Sequence, residues 1–241
     1  MRILVTNDDG IDSPGLHALA QRMTDLGEVI VFAPSSEHSG AGAAIGHLSE
    51  GVPAVHTVER PEMPDVAAVH HIGGPPALAA LLACRGLFGP PPDLVVSGIN
   101  PGWNVGWSVL FSGTVGACLT ARVCGVSGIA VSQRRTGEAQ RWEAAAELAA
   151  TLVPEIADRP AGYPVVWSVN VPNVDYPQIR GVRRALLADR LPYGLHSARL
   201  TDGAVTFESN DEVDESAEVD TGVVLAGYAS LTELAPTGVG C

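Results

Sequence analysis

The chain has 241 residues, 46% of them hydrophobic, which suits one large α/β domain or one domain with an appendage. Its net charge of −13 excludes a broad non-specific surface for nucleic-acid polymers, because binding of that kind needs a cationic stripe. All 14 basic residues are Arg and none is Lys, which removes a Walker phosphate loop, a Schiff-base lysine and a pyridoxal-phosphate anchor.

Residues 2–6, an apolar run of Ile, Leu and Val, predict a buried central strand. The run switches abruptly to Asn7-Asp8-Asp9-Gly10, so two adjacent carboxylates stand where the strand ends. Ser13-Pro14 then has the form of an N-cap followed by Pro at the first helical position, and apolar spacing continues the helix over 16–23. Residues 28–34 predict a second buried strand, followed by a small, Gly-rich loop over 35–42 that contains Ser39 and Gly40. The region 54–72 is irregular, with short strands suggested at Val55, Thr57 and Val69.

A Pro-initiated helix is expected over 75–84 and a third strong strand over 93–97. That strand delivers a loop over 98–106 carrying Asn100 and Asn104. Ser112-Gly113-Thr114 opens a helix that runs over 115–123. A fourth strand over 129–132, a long Ala-rich helix over 138–156 and a strand over 164–172 complete the regular alternation. The pattern predicts a Rossmann-like, doubly wound, mainly parallel sheet over residues 1–172. Residues 173–241 read as a C-terminal extension of strand pieces, an acidic loop and a short helix, with little core of its own. Such an arm is expected to pack on the core or on a neighbouring subunit. The seven acids between Glu208 and Asp220 read as a solvated loop.

Cys84, Cys118, Cys124 and Cys241 lack CxxC spacing, and the first three sit in apolar helical contexts, so they read as reduced thiols. No leader precedes the first strand and no apolar stretch is long enough to span a bilayer, so the expected location is cytoplasmic, without a membrane partner.

Asn7 to Gly10, Ser39-Gly40 and Asn100 to Gly106 all follow buried strands, so they belong at one edge of the sheet, where ligands bind in open α/β folds. Ser112-Gly113-Thr114 adds a helix N-terminus, whose free N–H groups favour an anion. Each piece alone has a plain structural reading as a turn or a cap; their joint position is what argues for a site. Asp8, Asp9, Ser39 and Asn100 form an all-oxygen ligand set suited to Mg²⁺ or Mn²⁺ rather than to Zn²⁺.

These segments, with Asn7-Asp8-Asp9-Gly10-Ile11 through Ser13-Pro14-Gly15 and Ser97-Gly98-Ile99-Asn100 as the long and specific ones and Ser112 to Ala117 beside them, resemble the SurE family, the stationary-phase survival proteins. That family comprises divalent-metal-dependent 5′/3′-nucleotidases. The resemblance implies one divalent cation per subunit bound by Asp8, Asp9, Ser39 and Asn100, with Ser39, Gly40, Asn104, Ser112, Gly113 and Thr114 about the phosphate. It also implies a nucleoside monophosphate as substrate and a homodimer or homotetramer built through the C-terminal arm. The sequence departs from the family at Ser108, where Asp is usual, at Phe111, where Tyr is common, at Gly74 to Ala77 and at Glu233.

The expected reaction is hydrolysis of a phosphomonoester by attack of a water that the cation activates, with Asp8, Asp9, Asn100 and Ser112 as catalytic residues. Direct attack by Asp8 or Asp9 through an aspartyl-phosphate is the open alternative. His38 is a candidate proton donor, and Trp103 or Trp107 could stack on a base. Readings as a phosphatase of a non-nucleotide metabolite, or as a non-catalytic binder of phosphorylated ligands, also remain open.

Overall fold

The computed structural model describes residues 1–159, 162–191, 197–208 and 213–235. Cys241 and two of the predicted loop acids, Asp211 and Glu212, lie outside the described residues. The chain forms β1 (Arg2–Thr6), α1 (Pro14–Met23), β2 (Glu28–Pro34), β3 (Val55–Thr57), β4 (Ala68–Ile72), α2 (Pro76–Cys84), β5 (Leu94–Pro101) and α3 (Gly113–Val123). It continues through β6 (Ser127–Gln133), α4 (Trp142–Ala157), β7 (Val166–Val171), β8 (Val182–Arg184), β9 (Ser197–Thr201), β10 (Ala204–Glu208), α5 (Asp220–Leu225) and β11 (Ala229–Leu234).

Nine strands form one sheet in the order β3-β4-β2-β1-β5-β6-β7-β11-β8. The six central strands, β4-β2-β1-β5-β6-β7, are mutually parallel, as buried strands joined by helical crossovers should be. Side chains alternate across the sheet. Ile3 and Val5 join Leu16, Leu19 and Leu148 on the face covered by α1 and α4, while Leu4, Ile30 and Phe32 join Leu78 and Ala121 under α2 and α3. The predicted α/β, mainly parallel, doubly wound architecture is therefore the observed one.

Connections leave β1 towards β2 on one side and β5 on the other, so strand order reverses beside β1. The crevice beyond the carboxyl ends of β1 and β5 is the position that topology reserves for ligands.

Beyond residue 172, β11 joins the main sheet antiparallel to β7, and β8 forms the sheet edge beside it. The β9–β10 hairpin is a separate two-stranded sheet.

Three local expectations need correction. The third strong strand does not end at Ser97: β5 shifts register and pairs Asn100 with Ser132 and Pro101 with Gln133 on β6, so the loop begins later. The Ala-rich helix starts at Trp142, not near Glu138, because Gly137 takes φ +83° and the segment before it is tied down by side chains. Asn173 accepts from the Arg141 amide at 2.9 Å and donates to the Ala139 carbonyl at 3.1 Å, which holds a loop where propensity favours a helix. Finally, Asp220 is not solvated. It is fully buried at the start of α5 and accepts N–H bonds from Gly106 (2.8 Å), Ala188 (3.0 Å) and Thr221 (2.9 Å).

Candidate active site

Asp8 and Asp9 follow β1 directly, as their position after Thr6 requires. Asn7 is fully buried beneath them and its amide donates to the Gly10 carbonyl at 3.0 Å, closing the turn that presents the two carboxylates. Asp8 is 3% exposed. Its Oδ1 accepts the Thr114 hydroxyl at 2.5 Å, which ties the end of β1 to the first turn of α3.

The approach of α3 to Asp8 depends on Gly113. A Cβ at that position would lie 2.7 Å from the Asp8 Cβ and 2.8 Å from its Oδ2, so only glycine fits. The first N–H groups of α3 are accordingly spoken for. The amides of Thr114 and Gly113 favour the charged form of Asp8, the Val115 amide donates to the Ser112 Oγ at 3.1 Å, and the Gly116 amide donates to the Ser112 carbonyl at 2.9 Å. The anion seated at this helix N-terminus is the carboxylate of Asp8 itself.

Burial pushes the Asp8 carboxyl above its ordinary value, and the Thr114 hydroxyl bond offsets part of that rise. Asp9 is pushed up to about 7, chiefly by burial and then by the charges of Asp8 and Glu37, with Arg135 acting in the opposite direction. Its Oδ2 is buried without a hydrogen-bond partner. Buried oxygens of Thr6, Asn7 and Ser97 are also without partners, and all four line the ends of β1 and β5. Unpartnered polar atoms also occur away from this crevice, on Gln21 and Arg60, but those at the ends of β1 and β5 stand where a ligand can reach them.

The loop after β2 reaches the same place. The His38 amide donates to the Asp8 carbonyl at 2.7 Å, and the Gly42 amide donates to the Phe111 carbonyl at 3.0 Å. Ser39 and Gly40 are exposed between those two anchors, and the Ser39 hydroxyl donates to Glu37 at 2.9 Å. Asn100, half-buried at the end of β5, spends its amide nitrogen on the Gly102 carbonyl at 2.7 Å, which leaves its carbonyl oxygen as the atom available to a cation.

Asn104 is placed differently. It is 8% exposed; its side chain donates to Ser132 at 2.8 Å, and its backbone exchanges bonds of 2.7 and 3.0 Å with the Asn170 amide. Asn104 thus braces the loop against β6 and β7. Trp103 lies against the Arg134 guanidinium, 5.3 Å from its ring centroid, and Trp107 donates to Asp189 at 2.9 Å.

Sequence reasoning placed Asn7 on the rim without a role of its own and did not single out Glu37 or Arg135. Glu37 sits two residues before Ser39, so adjacency was the available signal. Arg135 lies between the fourth strand and the Ala-rich helix, where no motif marks it.

The donors present fit a hard divalent cation. Two carboxylates, one with an orphaned buried oxygen, stand among neutral hydroxyl and carbonyl oxygens, without the His or Cys ligands that Zn²⁺ prefers. Among the described residues no group of three or more His, Cys, Asp or Glu side chains is arranged to hold a metal, so hydroxyl, amide and water oxygens would have to complete the shell around Asp8 and Asp9. No helix among the described residues is long and apolar enough to cross a membrane.

Comparisons with known proteins agree with this arrangement. Residues 3–192 match the family described as Survival protein SurE. The chain is 36% identical to a protein named 5′-nucleotidase SurE from Azotobacter vinelandii, over 97% of this chain and 92% of that one. It is 36% identical to a protein of the same name from Carboxydothermus hydrogenoformans, over 90% of this chain and 86% of that one. The crystal structure of Sure protein from Aquifex aeolicus superposes with a TM-score of 0.82 at 29% identity, covering all of this chain and 95% of the other. With that extent of agreement in sequence and in fold, the chain belongs to the SurE family of survival proteins.

Proposed function

We propose that this protein is a divalent-cation-dependent phosphomonoesterase that hydrolyses nucleoside monophosphates to nucleoside and inorganic phosphate. Its relatives named 5′-nucleotidase support the reaction class. The observation that carries the reading is the adjacent pair Asp8 and Asp9 at the strand-order reversal, with one Asp9 oxygen buried and unpartnered.

In this reading Asp8 and Asp9 hold Mg²⁺ or Mn²⁺, and the Ser39 hydroxyl and Asn100 carbonyl complete the protein's share of the ligands. When bound, such an ion polarises a phosphoryl oxygen and lowers the pKa of a water. The Thr114 hydroxyl and the α3 amides favour the charged form of Asp8 against its burial and fix its direction. The Ser112 oxygen accepts from Val115, so its proton is free to meet a phosphoryl oxygen, and the exposed Ser39-Gly40 turn is held beside Asp8 by the His38 amide. Asn104 fixes the intervening loop through Ser132 and Asn170. Assembly into a homodimer or homotetramer is supported by Leu110, Phe111 and Leu186, exposed at 62, 54 and 69% on one chain.

The test is phosphate release from nucleoside monophosphates, sugar phosphates and p-nitrophenyl phosphate with Mg²⁺ or Mn²⁺. Turnover of the nucleotides should be the fastest, should cease on chelation and should return when the ion is restored. Activity that survives exhaustive chelation, or survives Asp9→Asn unchanged, would refute it.

A further inference from the structure

A phosphomonoester approaching this site carries two negative charges, and the groups already placed there are poorly suited to receive them. Asp8, Asp9 and Glu37 are all acidic. The chain has no lysine, and the leading amides of α3 are turned to Asp8 and Ser112. Beyond the metal ion, a further cationic contact from the protein must come from an arginine.

Of the arginines, all but two are engaged among the described residues in ion pairs, hydrogen bonds, ring stacks or other interactions. The two are Arg85, which caps the C-terminus of α2 at the opposite edge of the sheet, and Arg135. Arg135 lies two residues past the end of β6, whose Ser132 and Gln133 pair with Asn100 and Pro101. The Gly102 amide donates to the Gln133 carbonyl at 2.9 Å, so the segment carrying Arg135 leaves the rim beside the Asn100 turn.

That segment is held in place. The Arg134 amide donates to the Val171 carbonyl at 2.9 Å, the Arg134 guanidinium is stacked on Trp103, and Asn173 donates to Thr136 at 3.1 Å. Arg135, exposed between these anchors, is the free charge of the loop, and its field reaches Asp9.

Resting on the reading of this site as a phosphomonoesterase, we propose that Arg135 binds the phosphoryl dianion of the substrate and the inorganic phosphate product, supplying the cationic contact that a lysine supplies elsewhere. A guanidinium suits the task, because its planar fork can donate to two phosphoryl oxygens at once.

The experiment compares wild type, Arg135→Ala, Arg135→Lys and Arg85→Ala in two measurements with Mn²⁺ present. In steady-state kinetics on a nucleoside monophosphate, Arg135→Ala should raise KM and the inhibition constant of inorganic phosphate by roughly 10- to 100-fold, the range for loss of a charge-assisted hydrogen bond. Arg135→Lys should recover part of this, and Arg85→Ala should match wild type. In calorimetry, inorganic phosphate should bind wild type and bind Arg135→Ala correspondingly more weakly. An unchanged phosphate affinity in Arg135→Ala overturns the proposal, and so does a wild-type chain that binds no phosphate. If wild type binds phosphate but turns over no phosphomonoester, the reaction class fails, and the calorimetric comparison still decides the role of Arg135.

Discussion

Thr114 donates its hydroxyl to Oδ1 of Asp8 across 106 residues of sequence, at 2.5 Å and in a fully buried position. The bond fixes the direction of the carboxylate and offsets part of the rise that burial imposes on it. Thr114→Val keeps the shape of the side chain and removes the donor. A hydrogen bond to a charged group contributes about 1.5–3 kcal/mol, so cation affinity and kcat/KM together should fall roughly 10- to 100-fold. Thr114→Ser should retain most of both. Calorimetric titration with Mn²⁺ alongside phosphate release checks the pair.

Gly113 allows that contact to form. A methyl group there would press on the Asp8 carboxylate at 2.8 Å, so α3 or the Asp8 side chain must move away. Gly113→Ala should therefore reduce activity by at least about 100-fold, as misplacement of a reacting group by an ångström does. Circular dichroism should show the sheet and helices intact. Near-normal turnover in this variant would mean that Asp8 need not sit where α3 holds it.

Asp9 gives the site a dependence on pH. In the cation-free protein its carboxyl stands at about 7, against 3.8 for the ordinary group. Between those values the folded chain keeps a proton that the unfolded chain has lost, so this group's contribution to stability declines as pH rises through that window. A cation must displace the same proton. Its affinity should climb as pH rises through about 7, with protons released on binding at and below that point. Asp8 is also raised, so the two carboxyls titrate as a pair. Mn²⁺ titrations at several pH values in buffers of different ionisation enthalpy measure the release, and Asp9→Asn should flatten the dependence.

Periodicity made the central sheet legible, because each buried strand is a short apolar run and each ends in a polar turn. The same logic placed Asp8, Asp9, Ser39, Asn100 and the α3 N-terminus on one rim before any contact was known. What sequence could not supply was the use of each group. A helix N-terminus reads as an anion site, but only the approach of Gly113 identifies the anion as Asp8. Asn104 reads as a ligand residue, and its bonds to Ser132 and Asn170 add a bracing use that the sequence does not signal. Arg135 carries no motif, and the loop that presents it is held by Asn173, 32 to 37 residues away, through tertiary hydrogen bonds that propensity does not reveal.

Asp220 was concealed by its acidic neighbours, and its burial makes the strongest stability prediction. Its two oxygens accept three backbone N–H groups from three separate segments, joining Gly106, Ala188 and the start of α5. Asp220→Ala removes every acceptor and leaves those donors buried, at about 1–3 kcal/mol for each one that water cannot reach. A net loss of about 3–5 kcal/mol is expected, which for a domain of this size lowers the melting temperature by roughly 10 °C. Asp220→Asn keeps one acceptor oxygen and should lose less. Because Gly106 ends the loop that follows Asn100 and Pro101 at the end of β5, kcat should fall in Asp220→Ala even at temperatures where the chain is folded. Thermal unfolding followed by calorimetry, with phosphate release measured well below the transition, separates the two effects. A melting temperature equal to wild type would show that the three amides find other partners and that Asp220 does not join these segments in solution.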